Sequence, residues 1–393
     1  MKALSNIETL DLYAVPGSAK TTWLILRVGF ADGVFGYGEA TRYGAEEAVF
    51  AEFGSVRRLL AGKALAAPGE ALAAIGMVQA SEARRTVINA LEQAFIDAMA
   101  RRAGLPACRL LGGPYRAEMP YYVNINRGIA DRSPEGFARR ARDVVESGGY
   151  RAIKIAPFDG LGRGLDLEFA NHLLRAAIDR ILAVRGAIGP DVKLLVDCHW
   201  RLSPMMARTV LTEAAEARLF WLEDALDEGA FDPALQRALR GFANDRGIRI
   251  AGGERLVDLA QARHFYALGG HDVVLPDLRS TGVRIGMSML ELASASGVEA
   301  SLHNPAGPIL DGISVQVAAA LPAFLILEGQ VGEGDLFDQI AGENRRLNRG
   351  SRVLGDGLGI GFEPALQVMQ QFANREATKV DSCVGISGAG ADG

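Results

Sequence analysis

The sequence predicts an α/β fold, a (β/α) barrel behind a smaller N-terminal α+β domain. Two observations carry that prediction. Six apolar runs in the second half of the chain each end in an acid or a histidine, at Asp197, Glu223, Glu254, Asp277, His303 and Glu328. The intervals between these end residues are 26, 31, 23, 26 and 25 residues, and a strand, a helix and two loops need roughly 25 to 30. A buried parallel strand reads as a continuous apolar run because both its faces are covered. Right-handed crossovers point the C-terminal ends of such strands the same way. The six end residues therefore converge on one mouth, the face where (β/α) barrels carry their active sites.

Residues 1–115 do not follow this period. Ile7 to Tyr13 alternates as a strand, Thr22 to Val28 resumes as a second, and Ala31-Asp32-Gly33 turns the chain into Phe35 to Glu39. Together they make an antiparallel meander. Helical patterns follow at about 45–61 and 69–78, then a long one from Ser81 to Arg102, with Ser81 as N-cap and Gly104 as C-cap. Leu110-Leu111-Gly112-Gly113-Pro114 closes this domain. The barrel domain occupies 116–330. Tyr121 to Asn126 is its first strand, and Ser133-Pro134 opens a helix that stops at Gly148-Gly149. Ala152 to Ala156 is its second strand, carrying Lys154, and a helix at about 166–186 follows. The six strands named above complete eight, with helix starters such as Ser203-Pro204 and Asp232-Pro233 between them. Residues 331–380 form an irregular C-terminal segment, and 381–393 read as a mobile tail.

Composition narrows the partners. With 42 basic and 47 acidic residues the formal charge is −5, which argues against nucleic acid and against a basic membrane-binding surface. No apolar run reaches the length of a membrane span. Cysteines at 108, 198 and 383 give neither a disulfide framework nor zinc spacing, so a reducing, cytoplasmic setting is expected.

The chemistry lies in the strand ends. Asp197, Glu223 and Glu254 close three successive strands, and three carboxylates in one mouth repel each other unless a cation sits among them. All-oxygen ligation favours a hard ion, Mg²⁺ or Mn²⁺. Taken singly, an acid after a strand is more often a helix cap, and the metal reading rests on three in register. Asp277 beside His303 fixes an imidazole tautomer and raises its basicity. Alternation along the strand is expected to put Asp197 and His199 on one side, with Cys198 turned away. Lys154 can hold a substrate carboxylate or the charge that develops on it. Glu328 donates to or accepts from the substrate, or merely caps the barrel. His172, His264 and His271 fall in helices or at the opposite face and are read as structural. Lys20, Arg42 and Tyr43 of the first domain are expected to overhang the distal end of the substrate. Trp200 and Arg201, just past His199, are expected to line the pocket.

The meander-plus-helix first domain, the Leu110-Leu111-Gly112-Gly113 junction and the Asp197, Glu223 and Glu254 strand ends resemble the enolase superfamily. The Asp277–His303 pair is similar to its mandelate racemase subgroup. This resemblance covers nearly the whole chain. It implies a modified TIM barrel, (β/α)₇β, with an N-terminal α+β capping domain that the C-terminal segment completes. It also implies one essential Mg²⁺, held by Asp197, Glu223 and Glu254, and abstraction of the proton α to a carboxylate through an enediolate. His303 is then the general base or acid, oriented by Asp277, and Glu328 is the strand-eight acid. The Asp197-Cys198-His199 arrangement resembles that of galactonate and mannonate dehydratases, in which the histidine protonates the departing hydroxyl. Many racemases of the subgroup carry Lys-x-Lys on strand two. Here that position reads Lys154-Ile155-Ala156, so the usual second base is absent. The reading is a dehydratase that converts a small polyhydroxy carboxylate to a 2-keto-3-deoxy acid. Epimerisation with Lys154 or His199 as second base, and a degenerate barrel without catalysis, are the competing readings. Relatives commonly form dimers or octamers, so a homo-oligomer is expected.

Overall fold

A computed structural model describes residues 6–372, apart from 19, 61, 62, 64, 66, 77–79, 228, 333 and 343–345. The tail expected at 381–393, and the last two residues of the helical pattern expected to 78, lie outside the described residues.

The first domain is built on β1 (Ile7–Ser18), β2 (Thr21–Phe30) and β3 (Phe35–Glu39), antiparallel in that order. Their alternation puts Leu10, Leu24, Leu26 and Val28 on one buried face. Helices α1 (Glu46–Leu60), α2 (Pro68–Ile75) and α3 (Glu82–Ala103) cover it. Gly38 of β3 is required by the packing. A Cβ there would stand 1.9 Å from the Ala90 carbonyl oxygen, so glycine lets α3 lie directly on the sheet. Ser81 accepts the Arg84 N–H and Gly104 ends α3 in the left-handed region, as the sequence predicts.

After the short α4 (Ala107–Leu110), eight parallel strands close into a ring. They are β4 (Glu118–Asn124), β5 (Ala152–Ile155), β6 (Lys193–Asp197), β7 (Trp221–Glu223), β8 (Arg249–Gly252), β9 (Val273–Val274), β10 (Glu299–Leu302) and β11 (Ile326–Gln330). Closure is made by β11 pairing with β4, Leu327 opposite Tyr121. Helices α5 (Pro134–Gly148), α6 (Leu167–Ile188), α7 (Pro204–Glu213), α8 (Pro233–Asn244), α9 (Leu259–Leu268), α10 (Leu278–Ala295) and α11 (Pro308–Ala320) separate the strands. This is the expected (β/α)₇β form. Tyr122, Leu195, Trp221, Val273 and Leu275 fill the ring below the mouth, so the barrel is a packed core rather than a pore.

The chain then returns to the cap through α12 (Leu336–Ala341), β12 (Leu347–Asn348) and β13 (Ser351–Val353). β13 pairs antiparallel with β4, and the Ile360 N–H donates to Asp97 of α3 at 2.8 Å. Among the described residues no helix is long and apolar enough to cross a membrane.

One local expectation is corrected. Strand β6 ends at Asp197, and His199 and Trp200 both take left-handed backbone conformations, with φ of 47° and 57°. Asp197 and His199 therefore meet through a turn, not through strand alternation. Helix α10 also breaks at Gly282, where φ is 72°. A Cβ there would stand 2.1 Å from a Glu92 oxygen of α3, so the glycine admits the cap to the start of this helix.

Candidate active site

Register pairs Asp197 directly with Glu223 and bridges Asp277 to His303, while Lys154 on the strand before pairs with Leu195, two residues short of Asp197. The Lys154 ammonium stands at the centre of one cluster. Its Nζ is 2.6 Å from Glu223, 3.0 Å from Glu328 and 3.7 Å from Asp197, all of them buried. Glu223 also accepts the Trp221 indole N–H at 2.9 Å. Glu328 accepts the Asn304 backbone N–H at 2.9 Å and the Gln330 amide at 3.3 Å. Burial works against a charged lysine, but Glu223 and then Glu328 hold the Lys154 pKa well above its ordinary value. It is a fixed cation, unsuited to taking up a proton.

The opposite wall carries a linear relay. His303 Nδ1–H donates to Asp277 at 3.0 Å, and Nε2 lies 2.9 Å from Glu254. Burial disfavours the imidazolium, but Glu254 and Asp277 outweigh it and push His303 up to about 10. Against its own burial, Glu254 is pulled down by His303 to about 2. Asp277 is buried too, yet the Arg279 guanidinium beside it holds its carboxyl far below the usual carboxylate range.

His199 is held differently. Its Nε2 is 3.2 Å from Asp197 and its side chain is 44% exposed, against 12% for His303. It sits just past β6, four strands round an eight-strand ring from β10. The two imidazoles thus face the mouth from opposite sides.

The charge balance bears on a metal. Ionised together, Asp197, Glu223, Glu254 and Glu328 bring four negative charges against two positive on Lys154 and His303, an excess of two. Burial pushes Glu223 up to about 8 despite Lys154, with Asp197 and Glu328 adding to the shift. One ammonium does not satisfy three acids, and the shortfall matches one divalent cation on hard oxygen donors. Among the described residues, Asp197, Glu223 and Asp224 have carboxylate oxygens within 4.8 Å of one another. Glu254, the expected third ligand, stands apart on His303. Asp224, however, follows the inward-facing Glu223. One of its oxygens and His271 Nε2 would lie 2.9 and 3.0 Å from a Cβ on Gly252. Asp224 is therefore a second candidate for the third ligand, beside Glu254, which the sequence predicts.

The rim residues fall into place less uniformly. Arg42 reaches α10, with Nη1 3.4 Å from Ser280 Oγ, and pairs with Glu82. Tyr43 packs under the Arg127 guanidinium, 4.3 Å from its ring centre. Lys20 lies exposed in the β1–β2 turn. Arg201 donates to the Phe158 carbonyl at 2.6 Å and braces the loop after β5. Trp200 stacks 3.3 Å beneath Arg255 and lines a cavity of about 500 Å³ with Asp227, Leu256 and Phe265. None of these contacts brings Lys20, Trp200 or Arg201 onto the carboxylates. His271 stacks on Phe265 at 4.1 Å, and His172 and His264 lie on α6 and α9, in keeping with structural roles. Sequence reasoning missed Arg279, Asn304, Gln330 and Asp224, none of which ends an apolar run.

Comparison with known proteins gives the same outline. The family model for the mandelate racemase/muconate lactonizing enzyme N-terminal domain matches residues 12–112, and the enolase C-terminal domain-like model matches 136–368. The chain is 29% identical to D-gluconate dehydratase of Thermoproteus tenax over 388 residues, covering 95% of this chain and 74% of that protein. It is 26% identical to D-xylonate dehydratase of Haloferax volcanii over 381 residues, covering 93% and 89%. Among solved structures, a mandelate racemase/muconate lactonizing enzyme from Jannaschia sp. shares the fold, with a TM-score of 0.78 at 22% identity over 95% of this chain and 99% of that one.

Proposed function

Because the chain belongs to the mandelate racemase/muconate lactonizing enzyme family of the enolase superfamily, we propose that this hydro-lyase is a Mg²⁺-dependent sugar-acid dehydratase that yields a 2-keto-3-deoxy acid. The observation that carries the reading is the pair of imidazoles on opposite sides of one buried carboxylate cluster. Elimination needs a base at the α-carbon and an acid at the β-hydroxyl, and these positions supply both.

Asp197, Glu223 and Glu254 would hold the ion, which when bound would supply Lewis-acid stabilisation to the substrate carboxylate. Lys154 adds a fixed positive charge where negative charge grows on the carboxylate oxygens. With Glu254 serving as a ligand rather than as the partner of the imidazole, His303 Nε2 is free to take the α-proton while its Nδ1–H stays on Asp277, which fixes the ring and stabilises the imidazolium. The C–O bond at the β-carbon then breaks, and His199 gives its proton to the departing hydroxyl, which leaves as water. The enol product tautomerises to the keto acid. Glu328, held by Asn304 and Gln330, keeps Lys154 in line. Arg42 and Tyr43 close the distal end from the cap.

The relatives named as gluconate and xylonate dehydratases support this substrate class. The test is a panel of C5 and C6 sugar acids incubated with the protein and Mg²⁺, with 2-keto-3-deoxy acid measured as product. At least one acid should yield it, and none should without the metal. No product on any acid contradicts the reading. The opposed imidazoles also suit epimerisation by 1,1-proton transfer, and solvent deuterium at the α-carbon without loss of water would favour that reaction.

A further inference from the structure

The Asp277 carboxylate has a second partner besides His303. Arg279 is 5% exposed. Its Nε lies 3.0 and 3.1 Å from the two Asp277 oxygens, its Nη2 also bonds Oδ2, and its backbone N–H donates to Oδ1 at 2.8 Å. The remaining arm, Nη1, donates to the Thr41 carbonyl of the cap at 2.9 Å. That segment is itself anchored. Thr41 Oγ1 donates to Glu39 at 2.6 Å, and Glu39 accepts the N–H groups of Gly307 and Leu310 at the start of α11. From the other side, the Asn89 amide of α3 donates to the Arg279 carbonyl at 2.9 Å.

We propose that Arg279 is a positioning residue for the base, a clamp that aims His303 through Asp277 and makes its aim depend on the docked cap. A carboxylate alone can rotate and offer either oxygen. A planar guanidinium fork bonds both oxygens and fixes the plane of the carboxylate, so that Oδ2, shared by the fork and the imidazole, is held in one direction. The fork cannot move without breaking its bond to Thr41, so the first domain and the base share one rigid contact. Lysine at this position would keep the charge and lose the fork.

This inference rests on the assignment of His303 as base. The test compares Arg279→Lys and Arg279→Ala with wild type, folding being checked by circular dichroism. It measures kcat, KM and α-proton exchange in ²H₂O. A second series adds guanidinium below denaturing concentration to the alanine variant. Arg279→Lys should lose about 10- to 100-fold in kcat and in exchange rate with KM little changed, the scale seen when partners that orient a working group are removed. Guanidinium should restore part of the alanine variant's loss. A wild-type kcat in Arg279→Lys overturns the clamp, as does a folded alanine variant that guanidinium leaves unmoved. If the alanine variant does not fold, the lysine variant decides. A wild type that neither dehydrates a sugar acid nor exchanges an α-proton removes the base itself, and the clamp with it.

Discussion

The mouth of this barrel has two walls, each with a histidine on a carboxylate, and they are built in opposite ways. On the β10 side His303 is nearly buried and gripped at both nitrogens, by Asp277 and Glu254, with Asp277 gripped in turn by Arg279. On the β6 side His199 is 44% exposed and rests on Asp197 from a left-handed turn. The difference suits two tasks. Removing a proton from carbon demands a base held in one orientation, because a small misplacement is costly. Protonating a departing hydroxyl demands an acid that reaches the β-carbon and regains its proton from solvent. Beside the loose wall, Lys154 is a fixed cation among the buried acids.

The comparison can be broken most decisively at the gripped wall. His303→Asn should lower kcat by about 10²- to 10⁴-fold or more with the fold kept, the usual worth of a positioned general base. Steady-state assays check it, and near-normal turnover would remove His303 from the chemistry. Lys154→Ala comes next. It leaves three buried acids without their ammonium, and metal-free stability should fall by about 3–5 kcal/mol, read by urea unfolding. An unchanged midpoint would mean that the cluster is not held together by that charge.

The ligand set can be sharpened by comparing Glu254→Gln with Asp224→Asn. Wild type should gain about 2.7 kcal/mol at a Mg²⁺ concentration a hundred times Kd. Glu254→Gln should abolish the thermal shift at that concentration and Asp224→Asn should retain it; the reverse pattern would exchange their roles. The smallest effect is a pH dependence of the metal-free protein. The folded His303 value, about 10, lies above its ordinary 6.5. The paired imidazolium therefore contributes stability that is complete below about pH 6.5 and is lost as pH rises through about 10. Unfolding midpoints across that window should fall in wild type and fall less in His303→Asn.

Much of this was legible in the sequence. The 23- to 31-residue period, with an acid or histidine ending each run, predicts six strands of the ring and the convergence of Asp197, Glu223, Glu254, Asp277, His303 and Glu328, and the apolar runs at 121–126 and 152–156 add the first two strands, with Lys154 on the second. Periodicity reports what lies along a strand and is silent on what crosses between domains. Arg279 reads as an ordinary residue in the first turn of a helix, and its bond to Thr41 spans 238 positions. Asp224 hides beside Glu223 because alternation would turn it away from the mouth, yet its carboxylate lies within reach of Asp197 and Glu223. Alternation also misstates how His199 reaches Asp197, since the strand stops two residues short and a turn completes the approach. Trp200 and Arg201 follow from the same turn, which carries them onto Arg255 and the Phe158 carbonyl.

The division of labour between the walls is tested most directly by His199→Asn in ²H₂O with Mg²⁺ and a sugar acid that wild type dehydrates. The substrate should be recovered with deuterium at the α-carbon while keto-acid formation falls by about 10²-fold or more, because the base still works and the acid is gone. Keto acid formed at the wild-type rate, or loss of α-exchange together with dehydration, would contradict the assignment of ionisation to His303 and expulsion to His199.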